Sequence, residues 1–184
     1  MLDDSFCRTD PDLDELITIL ERKDHVCQIH FLGVDLQSGK TMVAMQEPFP
    51  ELTDLVLKSN SIPEKVLSLP DLFLSGSAPR LRNLLLLGVP FPGLPKLLLT
   101  ATHLVNIQLH HIPHSGYFSP EALVTALSTS TGLRLLVLTL QFSPNLESRR
   151  PPPTRSLLPV LDTLIFQGAG EYLDDLLARV DVTN

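Results

Sequence analysis

Tryptophan is absent from the 184-residue chain, aromatics make up only 5%, and there are two cysteines. Cys7 and Cys27 are too few for a disulfide framework, which fits a reducing compartment. Cations are scarce as well: 14 Lys and Arg face 21 Asp and Glu, a net charge of −7. That balance argues against a nucleic-acid partner, because phosphate binding needs a cationic surface. No apolar run reaches the roughly 18 residues that span a bilayer. The closest, "LLLLGVPFPGLPKLLL" at 84–99, is broken by three prolines and a lysine. The opening "MLDDSFCRTDPD" is acidic and lacks the basic and apolar regions of a secretory signal. A soluble intracellular protein, cytoplasmic or nuclear, with no membrane partner is the expectation.

What the chain does have is leucine in a recurring arrangement. The pattern L-x-x-L-x-L appears as "VCQIHF" from Val26, "LTDLVL" from Leu52, "LRNLLL" from Leu81, "LVNIQL" from Leu104, "LRLLVL" from Leu133 and "LDTLIF" from Leu161. Successive starts differ by 26, 29, 23, 29 and 28 residues. Leucine-rich repeats run about 20–29 residues around such a core. Only the unit at Leu52 continues through Asn60 to Ile62 to complete the longer pattern, so the repeats are irregular. One such hexamer in a leucine-rich chain means little; six in order, separated by helix or turn signals, indicate a repeat.

The segments between the hexamers carry those signals. "DPDLDELITILERKDH" offers Asp10 as N-cap and Pro11 at the first helical position, with Leu13, Leu16, Ile17 and Leu20 on one face. "SPEALVTALSTSTG" repeats the logic with Ser119, Pro120, inward Leu123, Ala126 and Leu127, and a stop at Gly132. "EYLDDLLARV" predicts a helix through Leu173, Leu176, Leu177 and Val180, while "LPDLFLS" and "LPKLLLTA" predict one or two turns. The fold class that follows is α/β: a leucine-rich-repeat solenoid of about six units, with a parallel sheet on one face and short helices or turns on the other. It would occupy residues 10–184, after a disordered tail at 1–9. "QFSPNLESRRPPPTRS", 141–156, lacks periodicity and predicts a mobile insertion whose basic cluster is a solvated loop or a contact for an acidic partner.

Within each strand the second and third leucines point to the core and the residues between them point outward. The outward sets are Gln28, His30, Leu32; Asp54, Val56, Lys58; Asn83, Leu85, Leu87; Asn106, Gln108, His110; Leu135, Val137, Thr139; and Thr163, Ile165, Gln167. The middle file, His30, Val56, Leu85, Gln108, Val137 and Ile165, is largely aliphatic. An exposed apolar stripe of that kind marks a partner site. With Leu87 and His110 added, these eight residues are the candidate protein-binding face. The alternative is a covered face or a register displaced by one residue.

No catalytic constellation, cofactor site or metal site is expected. "GVDLQSGKT" resembles a phosphate-binding loop, but Gly33 and Gly39 enclose five residues where the motif needs four. His103, His110, His111 and His114 match no metal-ligand spacing, and strand alternation points His110 outward and His111 away. His110 could serve as a pH-sensitive contact. There is no G-x-S-x-G elbow, "LSGSAP" reads as a turn, Cys27 as an inert thiol in a strand, and Asp174–Asp175 as a solvated helix face.

Several phrases carry a family resemblance: "ITILERKDHVCQIHFLGV", "AMQEPFPELTDLVL", "APRLRNLLLLGVPFPGLPKLLLTATHLVNIQLHHIPHSGYFSPEALVTALSTSTGLRLLVL" and "EYLDDLLARVD". Together, over Asp10 to Val182, they resemble the leucine-rich-repeat region of the expanded F-box proteins of mushroom-forming fungi. The resemblance implies the substrate-recruiting subunit of an SCF-type ubiquitin ligase, in which an F-box docks on a Skp adaptor and cullin while the repeats hold the target. The nine residues before Asp10 are too few to fold into an F-box, so the recognition half alone is the expectation. The alternative is a stand-alone interaction or decoy protein with no role in ubiquitination. The resemblance transfers no residue-level site.

Overall fold

The computed structural model describes residues 22–32, 43, 45–59, 68–141 and 155–181. Residues 10–21 of the helix expected from Asp10, the 1–9 tail, the 33–41 loop and the continuation through Asn60 to Ile62 lie outside them, and the end of that helical segment forms a 3₁₀ turn at Lys23–His25. The molecule is a mixed α/β structure built on a six-stranded parallel sheet. Its strands are β1 (Gln28–Leu32), β2 (Asp54–Lys58), β3 (Asn83–Leu87), β4 (Asn106–Ile112), β5 (Leu135–Leu140) and β7 (Thr163–Gln167), lying side by side in chain order. A two-residue β6 (Ser156–Leu157) pairs in parallel with β8 (Val180–Asp181). Parallel neighbours need a crossover. Helices α1 (Leu94–Thr100), α2 (Pro120–Leu127) and α3 (Gly170–Ala178) serve three of these connections and pack in sequence, α1 on α2 and α2 on α3. A short 3₁₀ turn at Phe73–Gly76 packs against α1.

Every predicted strand forms, and each starts two residues after the first apolar residue of its hexamer. The core positions of neighbouring strands pair in register: Ile29, Leu55, Leu84, Ile107, Leu136 and Leu164 form one file, and Phe31, Leu57, Leu86, Leu109, Leu138 and Phe166 the next. From β1 to β5 both files are buried. A leucine taken fully from water contributes about 1.5–3 kcal/mol, so the repeat spacing is also the spacing of the stabilising contacts.

Two backbone joints repeat with the hexamers. The carbonyl of the residue just before each strand accepts two successive N–H groups of the next unit. Cys27 O takes Thr53 and Asp54, Thr53 O takes Arg82 and Asn83, and the pattern recurs from Arg82, Val105 and Arg134. The first leucine of a unit donates its N–H three residues back, as in Leu52 to Phe49, Leu81 to Ala78, Leu104 to Ala101, Leu133 to Ser130 and Leu161 to Leu158. All five acceptor residues are buried, so each of these five units has a further apolar or small position that the leucine pattern does not reveal.

α2 starts as its sequence dictates: Ser119 Oγ accepts from Ala122 N at 3.1 Å, with Pro120 at the first position. Ser119→Ala is expected to cost about 1 kcal/mol, read as a lower midpoint in urea unfolding with an unchanged slope. Gly116 sits in a turn after β4 where a Cβ would lie 2.8 Å from the Pro90 Cα, so the chain approaches its neighbour there only without a side chain.

Three expectations need correction. The helix after Ser119 ends at Leu127 with Ser128 as its C-cap, short of the expected stop at Gly132. The helix read through Val180 stops at Ala178. Arg179 is its C-cap and bonds Asp175 Oδ1 at 2.9 Å, and Val180 goes into β8. The buried side chains of α3 are Tyr172 and Leu176, while Leu177 is exposed. The proposed 141–156 insertion is also too long at both margins. Gln141 N bonds Ile112 O, Ser156 belongs to β6, and Arg155 pairs with Asp181 at 2.9 Å; residues 142–154 lie outside the description.

Candidate protein-binding face

The sheet face opposite the helices is assembled by register. One file reads Gln28, Asp54, Asn83, Asn106, Leu135 and Thr163; the second His30, Val56, Leu85, Gln108, Val137 and Ile165. The third begins Leu32, Lys58, Leu87 and His110. All eight expected contact residues therefore fall on one face. His30 and Ile165 are exposed, and Val56, Leu85, Leu87, Gln108 and His110 are half-buried. Leu32 adds a further exposed aliphatic side chain at 57%.

Val137 departs from expectation: it is only 6% exposed, and Thr139 beside it 7%. Its short β-branched side chain stands between the longer Gln108 and Ile165 across adjacent strands, which lie about 4.8 Å apart. It supports its neighbours rather than offering area of its own. The apolar surface is thus Val56, Leu85 and Leu87 in the middle, with Leu32 on β1 and Ile165 on β7 at the two edges.

The first file holds a network that was not expected. Asp54 accepts from Thr53 Oγ1 at 2.6 Å, Asn83 Nδ2 at 2.6 Å and Gln28 Nε2 at 3.4 Å. Asn106 Nδ2 then donates to Asn83 Oδ1 at 2.7 Å, so the chain of amides spans four strands from one carboxylate. Burial pushes the Asp54 pKa up, but the donors Thr53, Asn83 and Gln28 and the neighbouring His30 outweigh it, and the net shift is downward. The signal was present in the sequence: an amide or carboxylate occupies the same offset in four successive units. The ladder holds the side chains beside the aliphatic patch in place and leaves Leu135 and Thr163 to finish the file.

β4 carries a bulge that re-aims its histidines. Pairing with β5 shifts between Leu109 and Ile112, and His111 takes a φ of 53°. Strand alternation pointed His111 away from the surface; the bulge turns it out to solvent and returns Ile112 to the core. His110 stays on the outward face, its Nε2 3.4 Å from Gln108 Oε1, and His103 Nδ1 lies 2.9 Å from the Pro79 carbonyl. Among the described residues no group of three or more His, Cys, Asp or Glu side chains could hold a metal ion. None of the described helices is long and apolar enough to cross a membrane. Cys27 is an exposed free thiol at the residue before β1. What this face can do is offer aliphatic area framed by pre-ordered amides. Comparison with family models, curated proteins and solved structures finds no match for the chain.

Proposed function

We propose that the chain is a leucine-rich-repeat solenoid that binds a protein through the outward face of its sheet, as the target-recognition part of an F-box receptor. The supporting observation is the in-register pair Val56 and Leu85, with Leu87 in the adjoining file, beside the Asp54 ladder. Aliphatic groups at repeat spacing supply contact area, and fixed amides supply direction without ordering cost at binding. The sequential pairing of units and the two recurring backbone joints support the repeat reading. The ubiquitin-ligase role rests on the resemblance, with a Skp-type adaptor and cullin engaged only through an F-box.

Leu85→Glu is the test. A target captured by the full chain should lose at least tenfold in affinity, because a carboxylate placed in a desolvated apolar contact costs more than 1.4 kcal/mol. Leu99→Glu, on α1 and away from this face, should leave capture intact. Equal losses from both variants, or none from Leu85→Glu, would reject the face. Purification of the natural protein with its adaptor separates a ligase receptor from the stand-alone or decoy reading.

A further inference from the structure

β7 ends the sheet, and its inward side chains are not covered like those of the other strands. Leu164 and Phe166 are half-buried, whereas the equivalent pairs from β1 to β5 are buried. Between β7, α3 and β8 lies a cavity of about 180 Å³. Leu127, Leu136 and Leu176, each at most 2% exposed, line its interior, and half-buried Leu164 and Val180 line it nearer the surface. Asp162 is its single ionisable wall residue. Among the described residues Asp162 has no ion-pair partner, and its backbone N–H is engaged by the Arg134 carbonyl.

We propose that this cavity is a binding site for a small aromatic amine. A closed aliphatic cavity of roughly 150 Å³ takes up benzene, so this volume admits a ring with a short tether. Walls of this kind attract an apolar body in proportion to the area removed from water. The exposed Asp162 carboxylate favours a cation on the tether and disfavours an anion. The site is independent of the outward sheet face: the cavity opens on the helix side, so its occupancy and that of the sheet face can be read separately.

The experiment titrates the full chain with benzylamine, benzyl alcohol and benzoate while following the leucine and valine methyl resonances. Benzylamine should shift the methyls of Leu164, Leu176 and Val180 and bind about fivefold more tightly than benzyl alcohol, with benzoate the weakest. Asp162→Asn, or high salt, should bring benzylamine down to the alcohol and leave the alcohol unchanged. Leu164→Phe should fill the cavity and remove binding of both. The ligand series and Asp162→Asn decide the matter even where Leu164→Phe fails to fold. The proposal is overturned by silence of those methyls with all three compounds, by equal affinity for amine and benzoate, or by an Asp162→Asn variant that binds like the wild type. It is also overturned where the cavity methyls shift with protein concentration alone, which would assign the cavity to a second copy of the chain.

Discussion

Leu84→Ala is expected to lose about 2–5 kcal/mol of stability, and Leu85→Ala, one residue on, about 0.5 kcal/mol or less. Leu84 is 1% exposed at the centre of the sheet, between Leu55 and Ile107 in the first core file. Truncation removes its transfer energy and opens a cavity that two neighbouring strands, tied by continuous ladders, cannot close. Leu85 faces the other way, half-buried beside Val56 and Gln108, and solvent takes the place of the lost methyl groups. Urea unfolding of the two variants decides: a fall in midpoint confined to Leu84→Ala supports the register, and equal falls would reject it.

Tyr172→Ala is the second large effect, at about 3–5 kcal/mol. Tyr172 is fully buried on α3, stacked on Phe166 of β7 with centroids 5.8 Å apart and planes at 13°. Its edge meets Tyr117 at 6.4 Å, and its hydroxyl donates to the Phe118 carbonyl at 3.2 Å. One ring therefore ties the last helix to the last strand and to the segment before α2. Tyr172→Phe keeps the ring but leaves that carbonyl unpaired, so about 1–2 kcal/mol is expected to go.

The same hydroxyl makes stability depend on alkaline pH. Burial first, then the neighbouring Tyr117 and Asp175, raise the Tyr172 pKa above its ordinary value. The folded state thus keeps a proton that the unfolded chain releases near pH 10. Stability is unaffected below that value and declines above it. Relative to Tyr172→Phe, the wild type should lose about 1.4 kcal/mol between pH 8 and pH 11, measured by urea unfolding at each pH. A constant difference across that range would mean that Tyr172 ionises as freely in the folded protein as in the unfolded one.

Much of this was legible in the leucines. Alternation with period two assigns Leu84 and Leu85 to opposite faces, and Ser119-Pro120 announces α2; both are local rules that need no knowledge of the rest of the chain. The buried position three residues before the last five hexamers was hidden because Phe49, Ala78, Ala101, Ser130 and Leu158 share burial but no chemical character. Tyr172 was overlooked because the leucines of its helix satisfied the amphipathic pattern without it, and only docking shows that Leu177 of that set is exposed.

The sequence alone determined which residues alternate, where the units begin and which side chains share an offset, because these follow from strand and helix periods within a few residues. The tertiary structure decided what stands beside what. Bringing Asp54 next to Gln28 and Asn83 turns three isolated polar residues into a network. Setting Val137 between Gln108 and Ile165 takes it out of solvent. A bulge at His111 reverses the direction of a side chain. Each of these depends on contacts between residues a whole unit apart or on a register shift against a neighbouring strand, and a period read along one segment contains no information about the segment that will lie beside it.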